Sequence, residues 1–267
     1  MKDAGDEPFV SIVTVVYNGV ETLEETIKSI IAQEGVKKQF IVIDGGSTDG
    51  TLDIIRKYAA HIDHWMSERD HGIYDAMNKG IDLAKGRWLN FMNSGDRFAS
   101  SNVLKDFAAM VGADDDFVYG DALAEYPSFT TIFPRVALQD MWKRMPFCHQ
   151  ASFVKTSLAR HLKFNLNYRL SADYDFIFRA YKAGKIFRYI DLVVCLFDFK
   201  DSASKENRSL SLRERRDIVL KNDGGVYKRM YYAGQLSYTS LAETMKRIVG
   251  DKATQTITKL LRQNRTK

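Results

Sequence analysis

At 267 residues, with 45% hydrophobic side chains, the chain is long enough for one large α/β unit with appendages and can bury a sizeable core. No stretch approaches the ~18 uninterrupted apolar residues of a membrane span, and Met1 to Pro8 is polar and acidic, unlike a secretory leader, so a soluble cytoplasmic protein is expected. The net charge of +5 is unevenly placed: residues 205–267 hold 15 Lys and Arg against 6 Asp and Glu, residues 1–204 hold 24 against 28, and the basic tail is expected to meet an anionic surface.

The run Phe9 to Tyr17 (FVSIVTVVY) is almost continuously β-branched and aromatic, the pattern of a parallel strand buried on both faces. A turn at Asn18-Gly19 leads into a helix with Thr22 and Glu25 at capping-box spacing and an apolar stripe of Leu23, Ile27, Ile30 and Ile31. A second strand, Phe40 to Ile43, ends in Asp44-Gly45-Gly46-Ser47-Thr48-Asp49-Gly50, with Asp49 placed to cap a helix from about Thr51. Strands follow at His64 to Ser67, Trp88 to Met92 and Phe117 to Tyr119, with helices at Ile73 to Leu83 and Val103 to Met110. This alternation predicts a doubly wound α/β sheet. From Asp121 the pattern loosens into short pieces such as Phe129 to Phe133 and a helix over Ala172 to Ala183. Cys148 and Cys195 lack zinc-type spacing and read as buried free thiols. Beyond Lys205 the text turns helical and charged. Leu241, Met245, Ile248, Val249, Ile257, Leu260 and Leu261 recur at helical spacing among Lys246, Arg247, Lys252, Lys259 and Arg262, a pattern equally suited to an anionic membrane surface or to packing on the domain.

Open α/β sheets bind ligands at the carboxyl ends of their strands, so the polar residues there are the ones that matter. Asn18 follows the first strand, Asp44 ends the second, and Asn93-Ser94-Gly95-Asp96 follows the strand at Trp88. Carboxylates in such places accept hydrogen bonds from a ribose or base and can carry a diphosphate's divalent cation. A nicotinamide-dependent oxidoreductase is disfavoured because Tyr17-Asn18-Gly19-Val20-Glu21 lacks the G-x-G-x-x-G turn.

In order and spacing the segments VSIVTVVYN, IVIDGGSTDGT, SERDHGIYDAMNKGIDLAKGRWLNFMNSGD, HQASF and SADYDFIFRAYKAG resemble the family 2 glycosyltransferases of the GT-A fold, and within them a bacterial branch building capsule, exopolysaccharide or O-antigen. The resemblance implies a Rossmann-like, mostly parallel central sheet flanked by helices. It implies a GT-A domain over 1–204, divided into a nucleotide-sugar half (9–120) and an acceptor half (121–204), with 205–267 a basic helical extension. Its function would be inverting, hexosyl-type transfer from a nucleotide-diphosphate sugar, UDP being the commonest donor, to a saccharide or lipid-linked saccharide at the inner face of the cytoplasmic membrane. Implied donor-site residues are Val16, Tyr17, Asn18, Asp44, Ser47, Asp70, Tyr74, Lys79, Asn93, Ser94 and Asp96.

Asp96 matches the surviving carboxylate of the family's DXD metal motif. Asn93 and Gly95 stand where aspartates are usual, so Mg²⁺ or Mn²⁺ is expected, held more weakly. Inversion needs a general base, which the resemblance places at Asp173. Asp175, two positions on, points to another side of the helix. His149 and Gln150 are assigned to the acceptor side. The remaining alternatives are a donor-binding but weakly active relative, motivated by the altered DXD and by Ala172, and a protein binding membrane or nucleic acid through its tail. No recognised nucleic-acid module accompanies the basic charge, so nucleic acid is not an expected partner.

Overall fold

The computed structural model describes residues 7–126, 129–198 and 207–249. The chain divides into two compact units, Met1–Ser202 and Ala203–Lys267.

The first unit is organised around β1 (Val10–Val16), in which every residue is buried, as its unbroken apolar text requires of a strand covered on both faces. It pairs in parallel with β2 (Lys38–Asp44) on one side and β4 (Trp88–Phe91) on the other, and β3 (His64–Ser67) extends the parallel set beyond β2. Helices α1 (Leu23–Ile31), α2 (Thr51–Lys57) and α3 (Ile73–Leu83) make the crossovers. α1 buries Leu23, Ile27 and Ile30, the face predicted from its spacing. α3 lies close on β1 because Gly80 has no side chain: a Cβ there would overlap Val13.

After β5 (Arg97–Phe98) and α4 (Val103–Met110) come β6 (Phe117–Tyr126), β7 (Phe129–Ile132), β8 (Ser152–Lys155), α5 (Thr156–Leu162), α6 (Ala172–Lys182) and β9 (Phe187–Asp198). The sheet path is β3-β2-β1-β4-β8-β6-β9-β5, with β7 on β6. Parallel pairing holds through β3-β2-β1-β4 and between β6 and β9; β4–β8, β6–β8, β5–β9 and β6–β7 are antiparallel. The expected mostly parallel sheet is therefore a wholly parallel first half joined to a mixed second half. That second half, legible in sequence only as short pieces, contains β8, α5 and β9, and its β6 runs seven residues past Tyr119 to Tyr126. Phe107 of α4 stacks on Phe153 of β8 at 3.8 Å and meets the edge of Trp88 of β4, closing the core over the join. Cys148 and Cys195 are buried with free thiols. The hydrogen bond that Cys195 shares with Cys148, with burial, pushes the Cys195 thiol well above its ordinary value.

Two predicted caps differ in detail. Thr22 precedes α1, but its hydroxyl meets the Gly19 carbonyl and Ser94 Oγ instead of a helix N–H. Gly50, in the left-handed region at φ 101°, precedes α2; Asp49 reaches across it to accept the Thr51 N–H and hydroxyl.

The second unit contains α7 (Arg208–Asp223) and α8 (Val226–Val249), joined at Gly224-Gly225. Among the described residues no helix is long and apolar enough to cross a membrane. Of the stripe predicted in the tail, Ile257, Leu260 and Leu261 and the cations Lys252, Lys259 and Arg262 lie outside the described residues, as do the side chains of Met245, Lys246, Arg247, Ile248 and Val249.

Candidate active site

Four adjacent parallel strands, β3, β2, β1 and β4, deliver their carboxyl ends to one edge, and most of the predicted donor residues stand there. Val16 closes β1 as a buried residue, followed by Tyr17, which is 67% exposed, and by Asn18 in the left-handed region at φ 49°. Asn18 ties the first loop to the second: its N–H donates to Ser47 Oγ at 2.7 Å, and its Oδ1 accepts the Thr48 N–H at 3.0 Å. The Gly19 N–H donates to Thr51 Oγ1 and the Val20 N–H to Asp49 Oδ2, so four hydrogen bonds join the two loops.

Asp44 is fully buried. Its carboxylate accepts from Ser47 Oγ at 2.5 Å, Ser67 Oγ at 2.6 Å and the N–H groups of Ser47 and Gly46. Four donors satisfy it from within the chain, which makes it an organiser of the loop. Asp70 is the more accessible acid. Its Oδ1 accepts the Gly72 N–H at 2.9 Å, while Oδ2 lies so close over Gly45 that a Cβ there would stand 2.5 Å from it and 3.4 Å from Tyr17. Tyr17, Gly45 and Asp70 thus adjoin one another. Lys79 projects from α3 into an ion pair with Glu68 at 2.7 Å, with Asp75 at 3.7 Å; the Glu68 carboxylate holds its ammonium above its ordinary pKa. Asp75 also accepts the His71 N–H at the start of α3.

The loop after β4 brings Asn93, Ser94 and Asp96 to the same edge. The Ser94 N–H bonds the Val15 carbonyl and its hydroxyl meets Thr22, while Gly95 takes φ 98°. Asp96 is buried and accepts the Gln150 side-chain amide at 2.9 Å. Asn93 Oδ1 is buried without a hydrogen-bond partner, three positions before Asp96 in the same loop. Among the described residues no group of three His, Cys, Asp or Glu could hold a metal.

Asp173 occupies the first turn of α6 and is tied to both halves of the sheet. Its Oδ1 accepts the Tyr74 hydroxyl of α3 at 2.9 Å and the Tyr174 N–H at 2.8 Å; its Oδ2 faces His149 Nδ1 at 3.4 Å. Burial alone would raise the Asp173 pKa, but the His149 ring, the Tyr174 N–H and the Tyr74 hydroxyl outweigh it, and the net shift is downward. For His149, burial pulls down while the Asp173 hydrogen bond and charge pull up more strongly, with Cys148 and Asp96 adding to the rise. His149 Nε2 is buried without a partner.

The structure separates some residues that the sequence grouped together. Asp175 points into the core and pairs with Arg179 at 2.7 Å, a structural ion pair. Gln150, expected on the acceptor side, is buried: its amide nitrogen serves Asp96 and its oxygen faces Cys148 Sγ at 2.9 Å. Tyr74, expected near the donor, instead donates its hydroxyl to Asp173, while the separate hydroxyl of Tyr174 donates to the Met141 carbonyl. Ser67, which the sequence analysis does not single out, belongs to this set through its hydroxyl on Asp44. It ends β3 in register with Asp44, so the strand-end rule that selects Asp44 selects it as well.

Comparison with known proteins adds lineage to this geometry. The profile described as Glycosyl transferase family 2 matches residues 11–180. A PGL/p-HBAD biosynthesis glycosyltransferase of Mycobacterium tuberculosis (strain ATCC 25177 / H37Ra) is 33% identical over 198 residues, covering 72% of this chain and 77% of that protein. The crystal structure of S. aureus TarS 1-349 in complex with UDP is similar with a TM-score of 0.65 at 19% identity, over 92% of this chain and 76% of that one. The mannosyltransferase PcManGT from Pyrobaculum calidifontis, in complex with GDP-Man and Mn²⁺, is similar with a TM-score of 0.66 at 16% identity, over 97% and 80%.

Proposed function

Since this chain belongs to glycosyl transferase family 2 and is a glycosyltransferase of the GT-A fold, we propose that it transfers a sugar with inversion from a nucleotide-diphosphate donor to a saccharide or lipid-linked saccharide in cell-surface polysaccharide or glycolipid synthesis. The observation that carries this reading is the link between two sets of residues: Asp96, in the strand-end loop after β4, accepts the side-chain amide of Gln150, whose neighbour His149 holds Asp173 together with Tyr74.

The nucleoside lies against Tyr17, Gly45 and Asp70, with Asp44 fixing the loop that presents Ser47. The diphosphate lies near Lys79, whose ammonium exchanges Glu68 for phosphate oxygens. Asp173 accepts the proton of the acceptor hydroxyl as that oxygen bonds to the anomeric carbon and the nucleoside diphosphate leaves with the electron pair from the opposite face. His149 sits on the acceptor side and aims Asp173. A lipid-linked acceptor would place the reaction at the inner face of the cytoplasmic membrane.

Mg²⁺ or Mn²⁺ would be held by the Asp96 carboxylate and the unpartnered Oδ1 of Asn93, and when bound it would supply positive charge to the leaving diphosphate. One charged and one neutral oxygen from the chain give a weaker site than paired aspartates would. UDP is the donor nucleotide we propose; the UDP held by the S. aureus relative supports it, while the GDP-Man of the archaeal relative makes GDP the competitor to test.

Calorimetric titration with UDP and GDP, each with and without Mn²⁺, tests the reading. One nucleotide should bind, more tightly with metal. Asp173→Asn should leave that binding unchanged while turnover falls about 10²–10⁴-fold. Absence of nucleotide binding would overturn the donor site, and full turnover by Asp173→Asn would overturn the base.

A further inference from the structure

Helix α8 wears its amphipathicity inside out. Its buried side carries Tyr232 and Thr239, whereas Val226, Tyr227, Met230, Tyr238 and Leu241 are 44% to 75% exposed. At 100° per residue these five fall within a sector of about 120°, which Gly234 and Ser237 complete and in which residues 226–241 place no Lys, Arg, Asp or Glu. The strip runs about 22 Å along the helix. A surface helix that folds for burial alone puts its charges outward, so an apolar, aromatic outward face marks a contact surface.

What covers it is indicated by the groups beside it. Between α7 and α8 an open cleft of about 540 Å³ is lined by Arg213, by the hydroxyl-bearing residues Ser209, Ser237, Ser240 and Thr244, and by Leu236 and Leu241. A guanidinium among hydroxyls is a phosphate-binding chemistry. Leu241 belongs to both the cleft and the apolar strip, so a ligand with a phosphate at one end and hydrocarbon beside it matches both at once. The strong cationic excess of residues 205–267 complements an anionic surface.

We propose that this hairpin docks on the surface of an anionic phospholipid bilayer, with Val226, Tyr227, Met230, Tyr238 and Leu241 entering the headgroup–acyl boundary and the Arg213 cleft receiving a lipid phosphate. The arrangement is that of an interfacial helix, seated in the plane of the membrane. Two tyrosines suit that boundary because each joins an apolar ring to a polar hydroxyl. Docking would hold the enzyme where a lipid-borne acceptor diffuses. The inference stands on the second unit alone and does not depend on the roles given to Asp173 or Asp96.

Flotation of the full chain with vesicles of phosphatidylglycerol and phosphatidylcholine, against pure phosphatidylcholine, tests it. The chain should float with the anionic vesicles. Met230→Glu with Leu241→Glu should cut partitioning roughly tenfold or more, and Arg213→Gln should reduce the preference for anionic over neutral vesicles about fivefold. All of these positions face solvent or the open cleft, so nucleotide binding by the first unit should be unchanged in each variant. Failure of the unaltered chain to float, or flotation that ignores the double substitution, would overturn the proposal. So would inorganic phosphate displacing the protein from vesicles beyond the effect of chloride at equal ionic strength, which would make the cleft a free-phosphate site. Sedimentation of the unaltered chain as a dimer that the double substitution splits would reassign the face to a second copy.

Discussion

Asp173 is governed by its partners more than by its own chemistry. Asp173 and His149 move each other's proton affinity in opposite directions, the carboxyl below its ordinary 3.8 and the imidazole above its ordinary 6.5. An ion pair of this kind stabilises the fold only while both groups are charged. The His149 contribution is full below 6.5 and is lost as pH rises through its raised folded value; the Asp173 contribution is full above 3.8 and is lost as pH falls through its lowered one. His149→Gln should therefore lower the melting temperature most between about pH 4 and 6.5 and progressively less above that window. Thermal melts across pH 3 to 9 read this directly, and a deficit that stayed constant would mean that His149 acts by shape alone. Asp173 was legible in the sequence through the SADYDF block. Its bond to Tyr74 was not, because 99 residues separate the two and no local pattern announces such a contact.

At the scale of elements, the parallel half was legible because burial on both faces leaves an apolar text with no alternation, as β1 shows. The loops at its strand ends were legible as polar interruptions, but the hydrogen bonds joining Asn18 to Ser47 and Thr48 were not. β8, β9 and α5 escape the sequence reading for a physical reason: burial along β9 keeps no two-residue period, Val194 and Cys195 both being buried, because its register against β6 shifts at Tyr119/Asp121 and again at Asp121/Ala122. The contact of α3 with β1 is the element-scale feature on which both Tyr74 and Lys79 depend. Gly80→Ala drives a methyl group into Val13 and should cost about 1–3 kcal/mol. It should also displace the helix that aims Asp173, lowering turnover along with the urea midpoint. A variant with unaltered stability and turnover would show that the helix has room to move there.

Over the whole molecule, the two units differ in what holds them. The first is built around a sheet whose strand β1 is wholly buried, with Trp88, Phe107 and Phe153 packed on one another across the join; the second offers, among the described residues, two helices, one of them with a broad exposed face. Native-state hydrogen exchange should find the amides of β1 and β2 opening only with global unfolding, and those of α8 opening at lower free energy. Equal protection in both would make the molecule one cooperative unit. The sequence by itself determined the alternation of strands and helices, the basic extension, and the strand-end positions of Asn18, Asp44 and Asp96. Those features follow from local periodicity and from the rule that polar residues interrupt buried strands at their ends. Only the tertiary structure decided that Asp44 is satisfied within its own loop, that Gln150 serves Asp96, that Tyr74 and His149 hold Asp173, and that α8 turns its apolar side outward. Each of these depends on which distant groups meet and which side of an element is covered, and a one-dimensional pattern carries neither.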